Sequence, residues 1–280
     1  MAVSLSTNFT TLFDAEVKHA YQAHQDLMGT CRSRYGVVGS TVRFPKMAKG
    51  AAALRIPQTD VVPLNVAHTN VSASLSDFAA SEYTDIFDQS HVNYNERQEL
   101  VSVVANAIGR RADQIKIDAL IAASGTGTVA NSIGGANTNL NVAKIREASN
   151  LLNTANVPKE GRYLAIHADS LANLLSETQA TSVDFASTRA LMDGQINTYL
   201  GFTIIQLGDR DEGGLPVDGS LDRTCFAWHK DAIGYAESVA QRTEINYVPE
   251  KTSWLVTAML SAGSVAIDAP GIVKITCRES

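Results

Sequence analysis

Three cysteines in 280 residues, Cys31, Cys225 and Cys277, stand far apart with no CxxC among them. That pattern excludes a disulfide framework and a zinc ribbon, and it suits a reducing compartment. Signatures of nucleotide and hydrolase chemistry are missing too. There is no GxxxxGK[ST], no GxSxG and no HExxH, which removes the P-loop, the nucleophile elbow and the zincin helix. No stretch approaches the roughly 18 consecutive apolar residues of a membrane span, and the N-terminus lacks a basic start followed by an apolar run, so no secretory signal is expected. Basic excess is also lacking. The net charge of −6 is the wrong sign for a dedicated nucleic-acid binder. The expectation is a soluble protein that stays where it is made, with no membrane contact, cofactor or metal.

What is present is a core. A hydrophobic content of 45% in a chain of this length can fill one or two domains, and the 19% of charged residues lies a little below the usual share. Phe9, Phe13, Val17, Ala20, His24 and Leu27 recur at helical spacing, which predicts a helix over 9–28 closed by Gly29. VRFPKM then alternates as a strand from Val42, and NVSASLSDF as a second over 70–78. About twenty residues separate them where a hairpin turn needs two to five. Such a ribbon has one modest apolar face and must lie on something.

The strongest pattern follows. Val101, Val104, Ile108, Ala112, Ile115 and Ala119 form one apolar stripe, and Asn93 with Glu96 reads as a capping box. A helix over 95–123 would be about 43 Å long at about 1.5 Å per residue, far beyond the usual three turns. A Gly/Ser/Asn connection (124–141) and a helix near 142–152 come next. After Pro158 and Gly161 the texture changes to short elements: strands at 163–167, 202–207, 225–228 and 243–248, helices at 169–176 and 232–238, and one or two closing strands within 254–275. The class is mixed α+β.

None of the chemical candidates carries an activity. GTGT lies after a helix, not between a strand and a helix, so a surface connection outweighs a phosphate cradle. His167, Asp169 and Ser170 read as a helix start capped by Asp169 rather than a triad, because triads assemble from separate elements. DRDEGGLPVDGSLD (209–222) places Gly213 and Ser220 where a calcium loop needs oxygen ligands, and reads as an exposed acidic turn. His19 and His24 miss the i, i+4 spacing of a helical metal pair. For Arg110 and Arg111, salt bridges to neighbouring helices or subunits outweigh contact with a nucleic-acid backbone.

The order of parts is informative: short helix, long ribbon, very long helix, glycine-rich connection, α+β region, returning strands. It resembles the major capsid protein family of tailed bacteriophages, with the Hong Kong-97-type fold. TVRFPKM through SASLSDF resembles the family's extended loop, NYNERQELVSVVANAIGRRADQIKIDALIAAS its spine helix, and GRYLAIHADSLANLL, YLGFTIIQL and CFAWHKDAIGYAES its axial domain. WLVTAMLSAGSVAIDAPGIVKITC is similar to the strands that complete the peripheral sheet. The resemblance implies an N-terminal arm (1–39), an extended loop (40–90), a peripheral domain (91–158 and 246–280) and an axial domain (159–245). It implies a structural protein, not an enzyme, whose pentamers and hexamers build an icosahedral head around double-stranded DNA in the virion, assembled in the bacterial cytoplasm. Expected partners are other copies, a separate scaffolding protein, a portal, a cement protein and the weakly held DNA. Phe44, Lys46, Lys49, Leu54, Ile56, Val71 and Leu75 are the expected inter-subunit contacts of the loop. Arg32, Arg34, Arg110 and Arg111 are candidates for charge contacts with the genome or a neighbour. Two rivals remain at this stage, an encapsulin-type nanocompartment shell and a soluble α/β enzyme.

Overall fold

The computed structural model describes residues 22–52, 54–58, 60, 63–87, 95–177, 198–210 and 212–279. Among them the chain forms β1 (Arg32–Arg34), β2 (Thr41–Met47), β3 (His68–Ser74), β4 (Ser76–Asp85), α1 (Glu96–Ala122), β5 (Gly127–Val129), α2 (Val142–Thr154) and β6 (Arg162–His167). It continues with α3 (Ala168–Ser176), β7 (Thr198–Tyr199), β8 (Phe202–Leu207), β9 (Asp222–His229), β10 (Ile233–Val248), β11 (Ser253–Ala266) and β12 (Ile272–Arg278). One sheet has the order β1-β10-β11-β4, a second β5-β12-β9-β6-β8-β7, and β2 pairs with β3 alone.

The predicted long helix is present as α1, 27 residues from Glu96 to Ala122. Val104, Ile108, Ala112, Ile117 and Leu120 are buried, and the helix packs mainly on β11, β10 and β4. Its last carbonyls are satisfied from outside: Lys274 of β12 donates its Nζ to the oxygens of Ile121 and Ala123 at 2.7 and 2.8 Å. That cation sits where the helix dipole is negative, so it stabilises the end twice over. The stripe read from sequence is off by part of a turn. Ile115 is only half-buried, whereas Asp113 and Lys116 are enclosed.

Several expectations need correction. Residues 22–27 are not helical, although the periodicity predicted a helix to residue 28; residues 1–21 lie outside the description. The backbone amides of Asp26 and Leu27 are instead drawn onto the Asp113 carboxylate. The strand predicted over 70–78 is two strands. β3 ends at Ser74, and β4 begins at Ser76 in another sheet, so the chain changes layers at Leu75. The helix predicted over 232–238 is the start of β10, whose 16 residues also contain the strand predicted over 243–248. IGYAES pairs with β11 as a strand, and residues 233 to 237 are all buried there. Asn93 lies outside the described residues, and Asn95 holds the N-cap position of α1. The glycine-rich connection is not wholly free, because Gly127 to Val129 pair in parallel with β12.

The sheets join segments that are distant in the sequence. β10 spans the 245/246 boundary, and the six-stranded sheet unites β5 and β12 with β6, β8 and β9. One continuous core joins α1, both larger sheets and α2. Trp228 shows the link, fully buried with its indole N–H donated to the Thr30 carbonyl at 3.0 Å.

Backbone approach fixes where the β2–β3 ribbon sits. A Cβ on Gly263 would lie 2.0 Å from the Ser74 carbonyl oxygen, and one on Gly234 would lie 2.7–2.9 Å from the Phe44 ring. Only glycine admits those contacts. Gly263→Ala should therefore push the ribbon off the sheet and destabilise the subunit by about 1–3 kcal/mol. Thermal unfolding of the unassembled protein checks this.

Candidate assembly surfaces

The ribbon divides into a rooted base and an exposed tip. At the base, Val42, Phe44 and Ala73 pack with Ala236 and Ile267 in a small core of their own. Phe44 is 0% exposed, and the Arg34 guanidinium lies 5.7 Å from the centre of its ring. Lys46 Nζ meets the Asp268 carboxylate at 2.7 Å. Two of the expected inter-subunit contacts lie at this base. Phe44 is enclosed by its own chain, and Lys46 already has an acidic partner within it. The ribbon does need something to lie on, as its alternation implied, but for the base that surface is the protein's own sheet. Val71 and Leu75 are half-buried at the same root.

Beyond Met47 the picture reverses. Lys49, Arg55 and Ile56 are exposed, and Leu54 is 94% exposed. Met47 and Leu64 add to the apolar surface. Across residues 48–67 every described side chain except the half-buried Val66 is exposed. Leu54 and Ile56 gain nothing from water, so this tip is the part of the ribbon that fits a second surface.

Arg110 and Arg111 are engaged inside the chain. Arg110 donates to the Gln22 side-chain oxygen at 3.1 Å and to the Ala23 carbonyl at 3.2 Å. Arg111 lies 3.7 Å from Glu212 and stacks its guanidinium 4.5 Å from the centre of the Phe78 ring. Arg110 thus holds segment 22–23 to α1 through neutral acceptors, and Arg111 holds the loop at Glu212 through an ion pair. Arg32 and Arg34 remain exposed on β1.

The centre of that attachment is a buried charge cluster. Asp113, 0% exposed, accepts the Asp26 amide at 2.7 Å and the Leu27 amide at 3.2 Å. Lys116 Nζ lies 3.4 Å from it, and Arg210 Nη1 lies 3.7 Å away. Arg210 also pairs with Asp26. Segment 22–31, α1 and the loop after β8 are thus tied at one point. Burial holds the Asp113 carboxyl above its ordinary range, against the pull of Lys116 and the two amides. Sequence gave no sign of this, because Asp113 and Lys116 look like surface charges on an amphipathic helix.

A second cluster resembles a site but is a clasp. Ligand atoms of His167, Asp169 and Glu279 lie within 4.8 Å of one another, as a metal would require. The Arg223 guanidinium already occupies one of these acids, Glu279. It pairs through Nε with Glu279 and through Nη2 with Glu279 at 3.0 Å and Asp209 at 2.8 Å. His167 Nε2 lies 3.2 Å from Asp209. His167, not Asp169, caps α3, its Nδ1 accepting the Asp169 amide at 3.4 Å. The Ser170 hydroxyl donates to Asn139 at 3.0 Å and not to the imidazole, so no triad assembles. The acidic turn is less exposed than expected, since Asp222 is buried and bound by Arg278 at 2.7 Å. These contacts join the chain's last described residues to β9 and the loops beside it.

Removing the Asp113 carboxylate would leave two amides without their acceptor and take one partner from each of two cations, which keep the Leu27 carbonyl and Asp26. Asp113→Ala should cost about 3–5 kcal/mol of subunit stability. Asp113→Asn keeps an acceptor and should cost less. Because the folded carboxyl is held above its unfolded value, its contribution is fully present below about pH 3.9 and is lost as pH rises through the folded pKa. The difference in Tm between Asp113→Asn and wild type should therefore shift in favour of Asn from pH 4 to neutrality, measured by calorimetry.

A family model described as phage capsid protein matches residues 5–279. No curated protein matches the sequence. Among solved structures, the head of Helicobacter pylori bacteriophage KHP40 superposes with a TM-score of 0.79 at 12% identity, covering 99% of this chain and 98% of that one. The capsid of cyanophage P-SCSP1u gives 0.77 at 15% identity, over 98% and 94% of the two chains. A structure from Mycobacterium phage Che8 gives 0.73 at 18% identity, over 97% and 98%.

Proposed function

Because the chain belongs to the phage capsid protein family and has the Hong Kong-97-type capsid fold, we propose that its exposed ribbon is the strap by which each copy holds the next in an icosahedral head. The single observation that carries this reading is the contrast within the ribbon. Its base is locked to its own sheet through Phe44, while Leu54 at the tip is 94% exposed. A rooted base transmits force, and an apolar tip finds its burial on another copy. Repeated head-to-tail contacts of this kind close into rings, which gives pentamers and hexamers. The α1 helix, welded to β10 and β11, stiffens each wall unit.

Double-stranded DNA fills the head in this reading and is held weakly, since a chain of net charge −6 does not neutralise many phosphates. A scaffolding protein, a portal and a cement protein are the further partners. Assembly takes place in the bacterial cytoplasm, and the shell then resides in the virion. The division into an arm, an extended loop, and peripheral and axial domains follows the same reading. The test is deletion of residues 49–66 with a short glycine linker. The variant should fold with near-native Tm and yield capsomers or monomers but no stable shells by negative-stain microscopy. Particles of normal form and stability would remove the strap role. Cargo in wild-type shells decides between the head and a nanocompartment: DNA supports the head, and a co-encapsulated enzyme refutes it.

A further inference from the structure

The strap has to land on something, and the fold contains an unusual candidate. Among the described residues, β4 is the outermost strand in the order β1-β10-β11-β4. It is ten residues long and pairs with β11 from Ser76↔Ala262 to Asp85↔Ser253 without a register shift. α1 covers one of its faces and β11 one of its edges. Edge strands of this length are ordinarily blunted by lysine, proline or a bulge. SDFAASEYTD has none of these. Its charged residues are all acidic, Asp77, Glu82 and Asp85. Glu82 hangs over its own edge, accepting the Tyr83 amide at 3.3 Å, and Asp85 accepts the Phe87 amide at 2.7 Å. Lys251 is the basic neighbour at that end, 3.9 Å from the centre of the Tyr83 ring.

The ribbon carries the opposite sign. Between residues 41 and 74 the sequence has Arg43, Lys46, Lys49 and Arg55 against Asp60 alone. Lys46 is neutralised by Asp268, and Arg43, Lys49 and Arg55 are exposed. In a chain of net charge −6, that separation of signs is a recognition pattern. The ribbon's own β4 is poorly placed to receive it. The seven residues of β3 stand between the tip and the start of β4, about 23 Å at about 3.3 Å per residue. Pairing within one chain would require the ribbon to double back over its rooted base.

We infer that the open acidic edge of β4 in one copy receives the basic ribbon tip of another. The inference rests on the strap reading and names its receptor. Small side chains at Ala79 and Ser81, both exposed, let the arriving chain come close to the backbone, and Asp77 and Glu82 select it by charge. Leu54 and Ile56 then leave water at the joint.

Charge reversal tests this in the full-length protein. Asp77→Lys with Glu82→Lys should reduce shell formation by about tenfold or more at low salt. Adding Lys49→Glu with Arg55→Glu should restore it. A geometric trap supplies the second readout: Arg55→Cys with Ser81→Cys, treated with diamide after assembly, should give covalent oligomers on denaturing gels, while either single variant should not. All five native positions are exposed, so loss of folding is not the expected outcome, and circular dichroism checks it. Normal shells from the β4 reversal, or no cross-link in assembled particles, would overturn the receptor. If the 49–66 deletion still abolishes shells in that case, the strap stands and only its landing place is wrong. If the deletion assembles normally, both fall.

Discussion

The structure depends on one close approach, the β2–β3 ribbon lying directly on β10 and β11. It is possible because two positions beneath it have no side chain. Phe44 fills the space over Gly234, and the Ser74 carbonyl crosses Gly263. A phenylalanine buried to 0% exposure contributes roughly 2–3 kcal/mol of transfer free energy, and the Lys46–Asp268 pair adds little at its half-exposed position. The root is therefore apolar packing, insensitive to salt, whereas the charges left at the tip are screened over about 8–10 Å. A strap built this way stays attached to its own subunit under conditions that loosen its grip on a neighbour.

Rigidity elsewhere follows from buried charges placed at junctions. Asp113 ties segment 22–31 to α1 and, through Arg210, to the loop after β8. Arg223 ties that same loop to β9 and the chain's end through Asp209 and Glu279. Neither cluster is needed for a hydrophobic core, and burying ions costs free energy. Each one makes a particular loop position the only well-satisfied one. Lys144 works in the same way, fully buried and donating to Thr138 and Thr276 carbonyls at 2.6 and 2.9 Å, with burial lowering its pKa. These ties fix the described loops against α1 and β9.

The legible parts of the sequence were those with one strong period. α1, α2, β6 and β8 fall within a few residues of their expected bounds, because each buries a single continuous stripe or run. The failures share a cause. IGYAES was read as helix, yet it is a strand whose Gly234 leaves room for Phe44, which lies 190 residues earlier in the chain. Segment 22–27 was read as helix because its apolar spacing is helical, while the Asp113 carboxylate that draws its amides away is 86 residues distant. Likewise Leu75 gives no local sign of a change of sheet. The ribbon's contacts were half legible. Alternation marked Val42 and Phe44 as facing a surface, but only the fold says the surface is the chain's own. Leu54 and Ile56 needed no partner in the sequence to be noticed, since nothing around them alternates.

That division between base and tip bears on why the chain is acidic overall while its ribbon is basic. Copies of a uniformly acidic subunit repel one another in solution, which keeps monomers and small rings from aggregating. On the proposed strap reading, a basic strap on an acidic body makes the attraction local and directional, strongest where the strap of one copy meets β4 of another. The apolar tip then adds binding that grows only with close fit, so a misaligned neighbour gains the charge attraction without the burial. Long-range attraction and short-range selection thus reside in different atoms of the same segment, and a shell can form quickly while wrong contacts remain weak enough to dissociate.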